Sequence, residues 1–256
     1  MTRVWPVGRE VVRQPIPGGA LLFDSQRIPN AGADWLDPQW WQQRGTLDTP
    51  EGGRGSAWFI DADGRQMVLR HYRRGGLIAR ISQDRYLWWG EAFTRSFHEW
   101  NLLYQLRQAG LPVPVPLAAR YLRSGRTYSA ALLIERIPAT RSLAALLASN
   151  PQPHALWVSV GRCLARFHRG GVYHADLNAH NVLCGAAGAV SLIDFDRGAL
   201  RRPGLWRDAN LVRLRRSLEK LALGWPADRF GDTDWLALLA GYFAGDDAAQ
   251  DRPPQD

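Results

Sequence analysis

The chain has 256 residues and a mass of 28.8 kDa, and its 46% hydrophobic content is ordinary for a globular protein with a substantial core. Its formal charge is +8, and arginine supplies nearly all of the positive charge because Lys220 is the only lysine, a balance that favours partners rich in phosphate or carboxylate. The N-terminus lacks the apolar core of a signal peptide, and charged residues interrupt the longest apolar run, so we expect neither a leader nor a spanning helix but a soluble or peripheral protein.

Residues 1–50 carry no chemical motif and are predicted to be an N-terminal extension of the first lobe. Their tryptophan-rich stretch "DWLDPQWWQQRG" has two interpretations, a part of that lobe or a contact with lipid. The next stretch, "SAWFIDADGRQMVLRHY", predicts two strands around a turn at Asp61–Gly64, because β-prone residues flank an Asp-Gly connection.

Helical spacing of aromatic and aliphatic residues predicts a helix over 93–109 that stops at Gly110. A second hairpin is predicted in "YLRSGRTYSAALLIERI", and an amphipathic helix in "HALWVSVGRCLARFHRGG", closed by its two glycines. Helical patterns return at 208–222 and 233–244. Strands therefore dominate the first half and helices the second, which predicts an α+β protein with two lobes.

The segment "HADLNAHN" fits H-x-D-L-x-x-x-N, the catalytic-loop pattern of protein-kinase-like phosphotransferases. In that pattern Asp176 receives the proton of the acceptor hydroxyl and Asn181 binds Mg²⁺, while His174 shapes the loop. The apolar strand "VSLIDFD" then places Asp194 where the metal-binding Asp of D-F-G stands, with Asp196 as a possible further ligand. Carboxylate and amide oxygens suit Mg²⁺ on ATP, so both cofactors are predicted.

A nucleotide site of this kind also needs upstream elements in a fixed order. The glycine-bearing "EGGRGS" offers the backbone of Gly53, Gly55 and Ser56 to the phosphates. Arg70 ends "MVLR", the position where lysine is expected, and an arginine fork supplies the same charge.

The following helix offers Glu99 as the carboxylate that orients this cation. Glu135 to Ile137 would present backbone to adenine at the crossing between lobes. The predicted divisions are 1–50 for the extension, 51–136 for an antiparallel-sheet N-lobe, 137–246 for a mainly helical C-lobe and 247–256 for a flexible tail.

The acceptor is predicted to be a small or lipid-linked molecule, because no A-P-E element follows Asp196 and the chain ends soon after it. Four stretches, the run from "LRHYRRGG" to "HEWNLL", "VYHADLNAHNVL", "LIDFDRG" and "LWRDANLVRLRRSLEK", resemble the lipopolysaccharide kinase family within the protein-kinase-like superfamily. The similarity spans roughly residues 50 to 222. Within that family's "VLRHY" block the arginine at position 70 is ordinary.

The resemblance implies phosphorylation of the 4-hydroxyl of 3-deoxy-D-manno-octulosonic acid (Kdo) on a Kdo-lipid A precursor, with Asp176 as the catalytic residue. It also implies a peripheral position on the cytoplasmic face of the bacterial inner membrane. Two groups of residues fit anionic lipid and acceptor. The first is Arg70, Arg73, Arg74, Arg80 and Arg85 with Tyr86, Trp88 and Trp89; the second is Arg201, Arg202, Arg207, Arg213, Arg215 and Arg216, whose alternative is a solvated helix face.

Two other functions share the fold. An aminoglycoside- or choline-type kinase has an acidic acceptor pocket, which the arginine-rich flanks disfavour, and an inactive kinase-shaped binding module is suggested by the missing lysine. Nucleic acid is not expected as a partner, because no RNP, zinc or helix-turn-helix pattern accompanies the charge. No obligate protein partner is predicted. Cys163 and Cys184 lie in apolar contexts typical of buried thiols.

Overall fold

The computed structural model describes residues 10–48, 57–72 and 85–250, with side chains described as far as residue 244. The predictions for Gly53, Gly55 and Ser56 lie outside these residues. The chain divides into two compact units, one of Met1–Ala109 with Pro114–Pro138 and one of Gly110–Val113 with Ala139–Asp256. The two units correspond to the predicted sheet-rich and helix-rich parts.

The first unit is built on an antiparallel sheet of eight described strands. Seven follow the order β1-β2-β7-β8-β5-β4-β3, and β6 pairs with the beginning of β8. Two helices, α1 (Pro38–Gln42) and α2 (Arg95–Gln108), accompany the sheet. The strands are β1 (Val11–Ile16), β2 (Gly19–Asp24), β3 (Leu47–Asp48), β4 (Ala57–Ala62), β5 (Arg65–His71), β6 (Tyr86–Leu87), β7 (Pro116–Ser124) and β8 (Thr127–Glu135).

Both predicted hairpins are present. Strands β4 and β5 turn at Asp63 and Gly64, whose φ angles of 53° and 72° suit the Asp-Gly pair. Strand β5 also pairs with β8, so it is held on both edges, and Arg70 lies opposite Ala57 and Leu132 near its end. The position predicted to carry the phosphate-binding cation is therefore on a central strand.

The predicted helix over 93–109 is α2, which begins at Arg95 after a 3₁₀ turn at Glu91–Phe93 and ends before the positive-φ Gly110. Its inner face buries Phe97, Trp100 and Leu103 almost completely. The same face carries Glu99, whose side chain is 1% exposed, so the helix places a carboxylate inside the unit.

Residues 10–48 belong to the first unit's sheet and core. Strand β2 pairs with β7 along Gly19–Phe23, and Trp41 is 3% exposed, with its ring edge-on to Trp40 and Trp35. The tryptophan-rich stretch thus packs within the protein, which favours the first of its two interpretations over a contact with lipid.

The second unit contains four helices among its described residues, and its α4 and α6 are in tight contact. A Cβ on Gly161 of α4 would lie 1.9 Å from the carbonyl oxygen of Leu238, and one on Gly241 of α6 would lie 2.2 Å from that of Val158. The helices are α3 (Leu143–Ser149), α4 (His154–Arg169), α5 (Trp206–Ala222) and α6 (Asp232–Gln250). The last helix continues past 247, where the tail was predicted to start.

Short strands frame the loops of this unit. They are β9 (Arg141–Ser142), β10 (Val172–Tyr173), β11 (Val182–Cys184), β12 (Val190–Leu192) and β13 (Ala199–Leu200), with β9-β11-β12 and β10-β13 as separate antiparallel sheets. Both cysteines are buried and free as predicted, and burial raises the pKa of each thiol to about 12. An antiparallel sheet in one unit and mainly helices in the other confirm the predicted α+β fold.

Among the helices of the described residues, none has the length and apolar content needed to cross a bilayer.

Candidate active site

The predicted catalytic loop is the segment 174–181, which connects β10 to β11 in the second unit. Asn178 builds its turn: its Oδ1 accepts the backbone N–H groups of His180 (2.9 Å) and Asn181 (3.2 Å). Its Nδ2 donates to the backbone carbonyl and to the Oδ2 of Asp176, both at 3.1 Å. This Asx turn is a local preference of asparagine, and here it also orients the predicted base.

His174 is 2% exposed and uses both ring nitrogens within the site. Nε2 donates to the carbonyl oxygen of Ile193 at 2.9 Å, and Nδ1 accepts the backbone N–H of Asp176 at 3.2 Å. Burial, the largest influence, lowers the pKa of His174, so the ring is neutral. Its predicted role in shaping the loop is confirmed.

Asn181 joins the catalytic loop to the end of β12. Its Nδ2 donates to the backbone carbonyl of Asp176 at 2.9 Å, and its own carbonyl accepts the N–H of Ile193 at 3.1 Å. Ile193 directly precedes Asp194. The set His174, Asp176, Asn181 and Ile193 therefore closes a ring of hydrogen bonds that fixes Asp194 relative to the loop.

The segment after β12 holds two partly exposed carboxylates on either side of a buried ring. Phe195 is completely buried and packs 4.8 Å from the ring of His174 and 5.8 Å from that of Phe167. Asp194 has a φ of 65°, a left-handed conformation that costs energy in a non-glycine residue and is concentrated at functional sites. Asp196 follows in the turn closed by the N–H of Gly198 on the carbonyl of Phe195.

The side-chain oxygen atoms near the ring of hydrogen bonds fit a hard cation such as Mg²⁺. Asn181 commits its Nδ2 to Asp176, and its Oδ1 accepts no hydrogen bond from the described residues, so this amide oxygen is available to a cation. Within residues 10–48, 57–72 and 85–244, no three His, Cys, Asp or Glu side chains form a metal cage by themselves. In proteins Mg²⁺ is usually held by one or two carboxylates together with phosphate and water.

In the first unit the structure brings Arg70 and Glu99 together. The Nη1 of Arg70 lies 3.0 Å from the Oε1 of Glu99, and the hydroxyl of Tyr72 donates to Oε2 at 2.5 Å. The side chain of Arg70 is 23% exposed, whereas that of Glu99 is buried. The predicted ion pair between the arginine of β5 and the glutamate of α2 is therefore present. A phosphate contact of Arg70 stays a prediction.

Glu135 is the last residue of β8 and Ile137 lies two residues further on, close to the division of the chain after Pro138. The backbone N–H of Glu135 donates to Val115 at 2.9 Å, and its carboxylate lies 3.5 Å from the guanidinium of Arg27. The side chain of Glu135 therefore has a structural partner. The adenine contact predicted for this backbone stays a prediction.

Helix α5 supports the catalytic loop through residues that the sequence analysis did not single out. Asn210 is 1% exposed, and its side chain accepts the N–H of His174 at 3.2 Å and donates to the carbonyl of His174 at 2.9 Å. The hydroxyl of Ser217 accepts the N–H of Ala179 at 3.2 Å. An asparagine among the apolar positions of a helical pattern is the sequence signal that could have indicated such a support, because a buried amide needs hydrogen-bond partners.

The residues predicted to contact lipid or acceptor differ from one another in exposure and in their contacts. Tyr86 and Trp88 are half-buried, with ring centroids 5.6 Å from Tyr128 and 5.0 Å from Tyr121, and their contact with lipid or acceptor stays a prediction. Trp89 is 73% exposed. Arg73, Arg74 and Arg80 lie outside the described residues.

In the second group Arg201 covers the ring of Tyr173 at 3.5 Å and Arg207 is half-buried. Arg215 makes one ion pair with Glu219 on its own helix and one with Asp232 at the start of α6. Arg213 alone reaches the predicted base, with Nη1 3.7 Å from the Oδ1 of Asp176.

Comparison with known proteins agrees with this site. The profile of the "Lipopolysaccharide kinase (Kdo/WaaP) family" matches residues 38–242. The chain belongs to this family. The matched span of the lipopolysaccharide kinase family includes Arg70, Glu99, the catalytic loop and Asp194, whereas β1 and β2 precede it.

Curated relatives in the lipopolysaccharide kinase family are more than half identical to the chain. A 3-deoxy-D-manno-octulosonic acid kinase of Stenotrophomonas maltophilia (strain R551-3) is 55% identical over 206 residues, 79% of this chain and 81% of the relative. One of Xanthomonas axonopodis pv. citri (strain 306) is 53% identical over 227 residues, 88% and 89% of the two chains.

A crystal structure of WbdD is 19% identical, with a TM-score of 0.48 over 81% of this chain and 47% of that chain. The chain thus spans about half the length of that solved structure.

Proposed function

We propose that this chain transfers the γ-phosphoryl group of ATP to the 4-hydroxyl of Kdo on a Kdo-lipid A precursor, in lipopolysaccharide core biosynthesis. The hydroxyl oxygen forms a bond to the γ-phosphorus, the bond from that phosphorus to the β–γ bridging oxygen breaks, and ADP leaves. The hydroxyl proton passes to the carboxylate of Asp176. The hydrogen-bonded ring of His174, Asp176, Asn181 and Ile193, in a chain over half identical to Kdo kinases, carries this proposal.

Asn181 and Asp194 would hold Mg²⁺, with Asp196 as a further candidate, because all three offer hard oxygen donors and lie at the same end of the paired strands β11 and β12. When bound, the ion would neutralise charge on the triphosphate. Arg70, oriented by Glu99, would add a fixed cation for the phosphates, and the backbone of Glu135 to Ile137 would receive adenine.

The deciding experiment is incubation of the purified full chain with γ-labelled ATP and three acceptors in parallel. These are a Kdo-lipid A precursor, an aminoglycoside and a generic protein substrate. We expect label only on the Kdo-bearing lipid, at the 4-position by NMR of the product. Label on the aminoglycoside alone would establish the alternative small-molecule kinase, and absence of label on every acceptor would favour the binding module.

Replacement of Arg70 by methionine is expected to raise the KM for ATP about 10- to 100-fold, because a charged contact to phosphate is worth about 1.5–3 kcal/mol. It also removes the ion pair between Arg70 and the buried carboxylate of Glu99, so the melting temperature should fall as well. Initial-rate kinetics with varied ATP, together with a thermal melt, measure the two effects separately.

Arg13→Met is the matched control, because Arg13 forms the same kind of pair with Glu91 at 2.7 Å in the same unit but is 47% exposed. Its KM for ATP should equal that of the unmodified chain. If Arg70→Met lowers only the melting temperature and leaves this KM unchanged, Arg70 has a structural role alone.

We further propose that the protein lies on the cytoplasmic face of the inner membrane and contacts anionic lipid through the segment 85–93. Leu87, Trp89 and Phe93 are 55%, 73% and 66% exposed, and Arg85 at the start of the segment is exposed too. Exposed apolar side chains next to a cation are the chemistry of interfacial binding, in which each arginine adds about 1 kcal/mol.

Trp89→Ser combined with Phe93→Ser should reduce co-sedimentation with phosphatidylglycerol-containing vesicles several-fold, because both substitutions remove apolar area from the interface. Leu223→Ser is the control, since Leu223 is 89% exposed in the other unit. Equal sedimentation of the unmodified chain with neutral and anionic vesicles would remove the proposal.

A further inference from the structure

A cavity of about 850 Å³ adjoins Asp176 within the second unit. One wall is the catalytic loop and the other is the exposed face of α5. Every residue that borders it belongs to this unit, so the cavity is defined by the loop and the helix alone. It is open to solvent, as a site for a group carried on a larger acceptor would need to be.

The charge of this cavity is predominantly positive. Arg213, Arg216 and Lys220 border it from α5, at spacings of three and four residues that place them on one helix face. The carboxylates at its border are those of Asp176 and Asp208, and His180 is the remaining titratable group. Since Asp176 is the predicted base, Asp208 is the only other negative charge among these bordering residues.

Within the part of the chain that the structure describes, Arg216 and Lys220 differ from their helix neighbour Arg215 because neither pairs with a carboxylate. Arg215, which points elsewhere, is paired with Glu219 at 2.8 Å and with Asp232 at 2.9 Å. Among the described residues, neither Arg216 nor Lys220 makes an ion pair, and both are exposed. The helix thus neutralises the arginine outside the cavity and leaves the two cations inside it unneutralised.

We propose that Arg213, Arg216 and Lys220 form the acceptor's anion site, which receives an acidic group of the sugar substrate while its hydroxyl lies at Asp176. The inference rests on the proposed function and adds to it the residues that select an anionic acceptor. The shared chemistry is a carboxylate or a phosphate, for which arginine and lysine are the suitable donors.

Arg213 connects the anion site to the base. It lies 3.7 Å from Asp176, but the two side chains are 52% and 57% exposed, so their mutual attraction is weak. An acceptor anion can therefore take Arg213 as a partner at little cost and leave the carboxylate of Asp176 to the hydroxyl. A cationic acceptor would meet three positive charges, which disfavours an aminoglycoside at this site.

The first test is initial-rate kinetics with a Kdo-lipid A precursor for Arg216→Gln, Lys220→Gln and the double variant. We expect the KM for the acceptor to rise about 10-fold for each single change and about 100-fold for both, with the KM for ATP unchanged. Arg215→Gln removes the same charge from the same helix outside the cavity, and its acceptor KM should stay within about twofold of the unmodified chain.

Two acceptor analogues identify the source of the anion. If the Kdo carboxylate binds here, a precursor with that carboxylate methyl-esterified should give the same acceptor KM with the double variant and with the unmodified chain. If a lipid A phosphate binds here, a precursor without those phosphates should give equal KM values instead. An acceptor KM of the double variant that equals that of Arg215→Gln overturns the inference and leaves the proposed function intact.

A second readout is independent of turnover, because Lys220 is the only lysine in the chain. Reductive methylation with ¹³C-formaldehyde gives one lysine signal besides the N-terminal amine, which serves as an internal reference. Free Kdo or glucosamine phosphate should shift the lysine signal, and Arg216→Gln should weaken the shift. If the unmodified chain phosphorylates no Kdo acceptor but shows this shift, the proposed function fails and the anion site stands. If it shows neither phosphorylation nor the shift, the proposed function and the anion site both fail.

Discussion

Replacement of Asp176 by asparagine is expected to lower kcat for the Kdo acceptor by about 10²- to 10⁴-fold, the usual contribution of a positioned general base. Asparagine keeps the size of the side chain and can still accept the hydrogen bond from Asn178, so the loop should persist. What it loses is the capacity to take the hydroxyl proton. Single-turnover kinetics at saturating ATP measure the effect on chemistry, and the KM for ATP should be unchanged.

Asp228→Asn is the matched control, because Asp228 is an exposed carboxylate in the same unit whose neighbour in the structure is Arg229. Its kcat should equal that of the unmodified chain. Two outcomes contradict the assignment: a full kcat in Asp176→Asn, or an unmodified chain with no turnover to lose. The second outcome is the behaviour of a kinase-shaped binding module.

Asp194→Asn is expected to reduce kcat/KM for ATP by about 10³-fold or more, since metal stabilisation of transferring phosphate is worth several kcal/mol. The backbone of Asp194 has a φ of 65°, and asparagine tolerates this conformation as well as aspartate does, so the fold should survive. The measurement is activity against Mg²⁺ and Mn²⁺ concentration. Partial recovery at high metal concentration would separate a lost ligand from structural damage.

Asp196→Asn, two residues away, is the comparison for this experiment. If Asp196 is a further ligand, its replacement shifts the metal dependence in the same direction but less; if it is not, the dependence stays that of the unmodified chain. A normal metal dependence in Asp194→Asn would show that the carboxylate at the end of β12 holds no ion, and the phosphoryl-transfer assignment would lose its cofactor site.

Much of the fold was predictable because its signals are local. Period-2 runs around Asp63–Gly64 gave the β4–β5 hairpin, and the apolar spacing before Gly110 gave α2. The spacing of Asp176, Asn181 and Asp194 predicted the candidate active site, since each of these residues follows a short strand or turn with a recognisable pattern. By contrast, β1 and β2 were not predicted, because β2 pairs with β7, about 100 positions away, and β1 joins the sheet only through β2.

The missing parts of the site are contacts between distant segments. Arg213 was one of six arginines in a basic run, and nothing in its spacing distinguishes it from Arg215, yet one faces Asp176 and the other faces Asp232. Similarly, Asn210 supports His174 across 36 positions. Helix orientation decides both, and orientation is set by packing of the whole unit.

The hydrogen bonds from Asn210 and Ser217 to the catalytic loop limit how the acceptor preference of this enzyme can be redesigned. The helix that presents the selecting cations also braces the turn that carries the base, so a wholesale exchange of 206–222 for the helix of another kinase would disturb turnover together with selectivity. A workable redesign would keep positions 210 and 217 and vary only the outward residues. Combined changes on this helix should therefore give non-additive rate effects whenever one of them touches either brace.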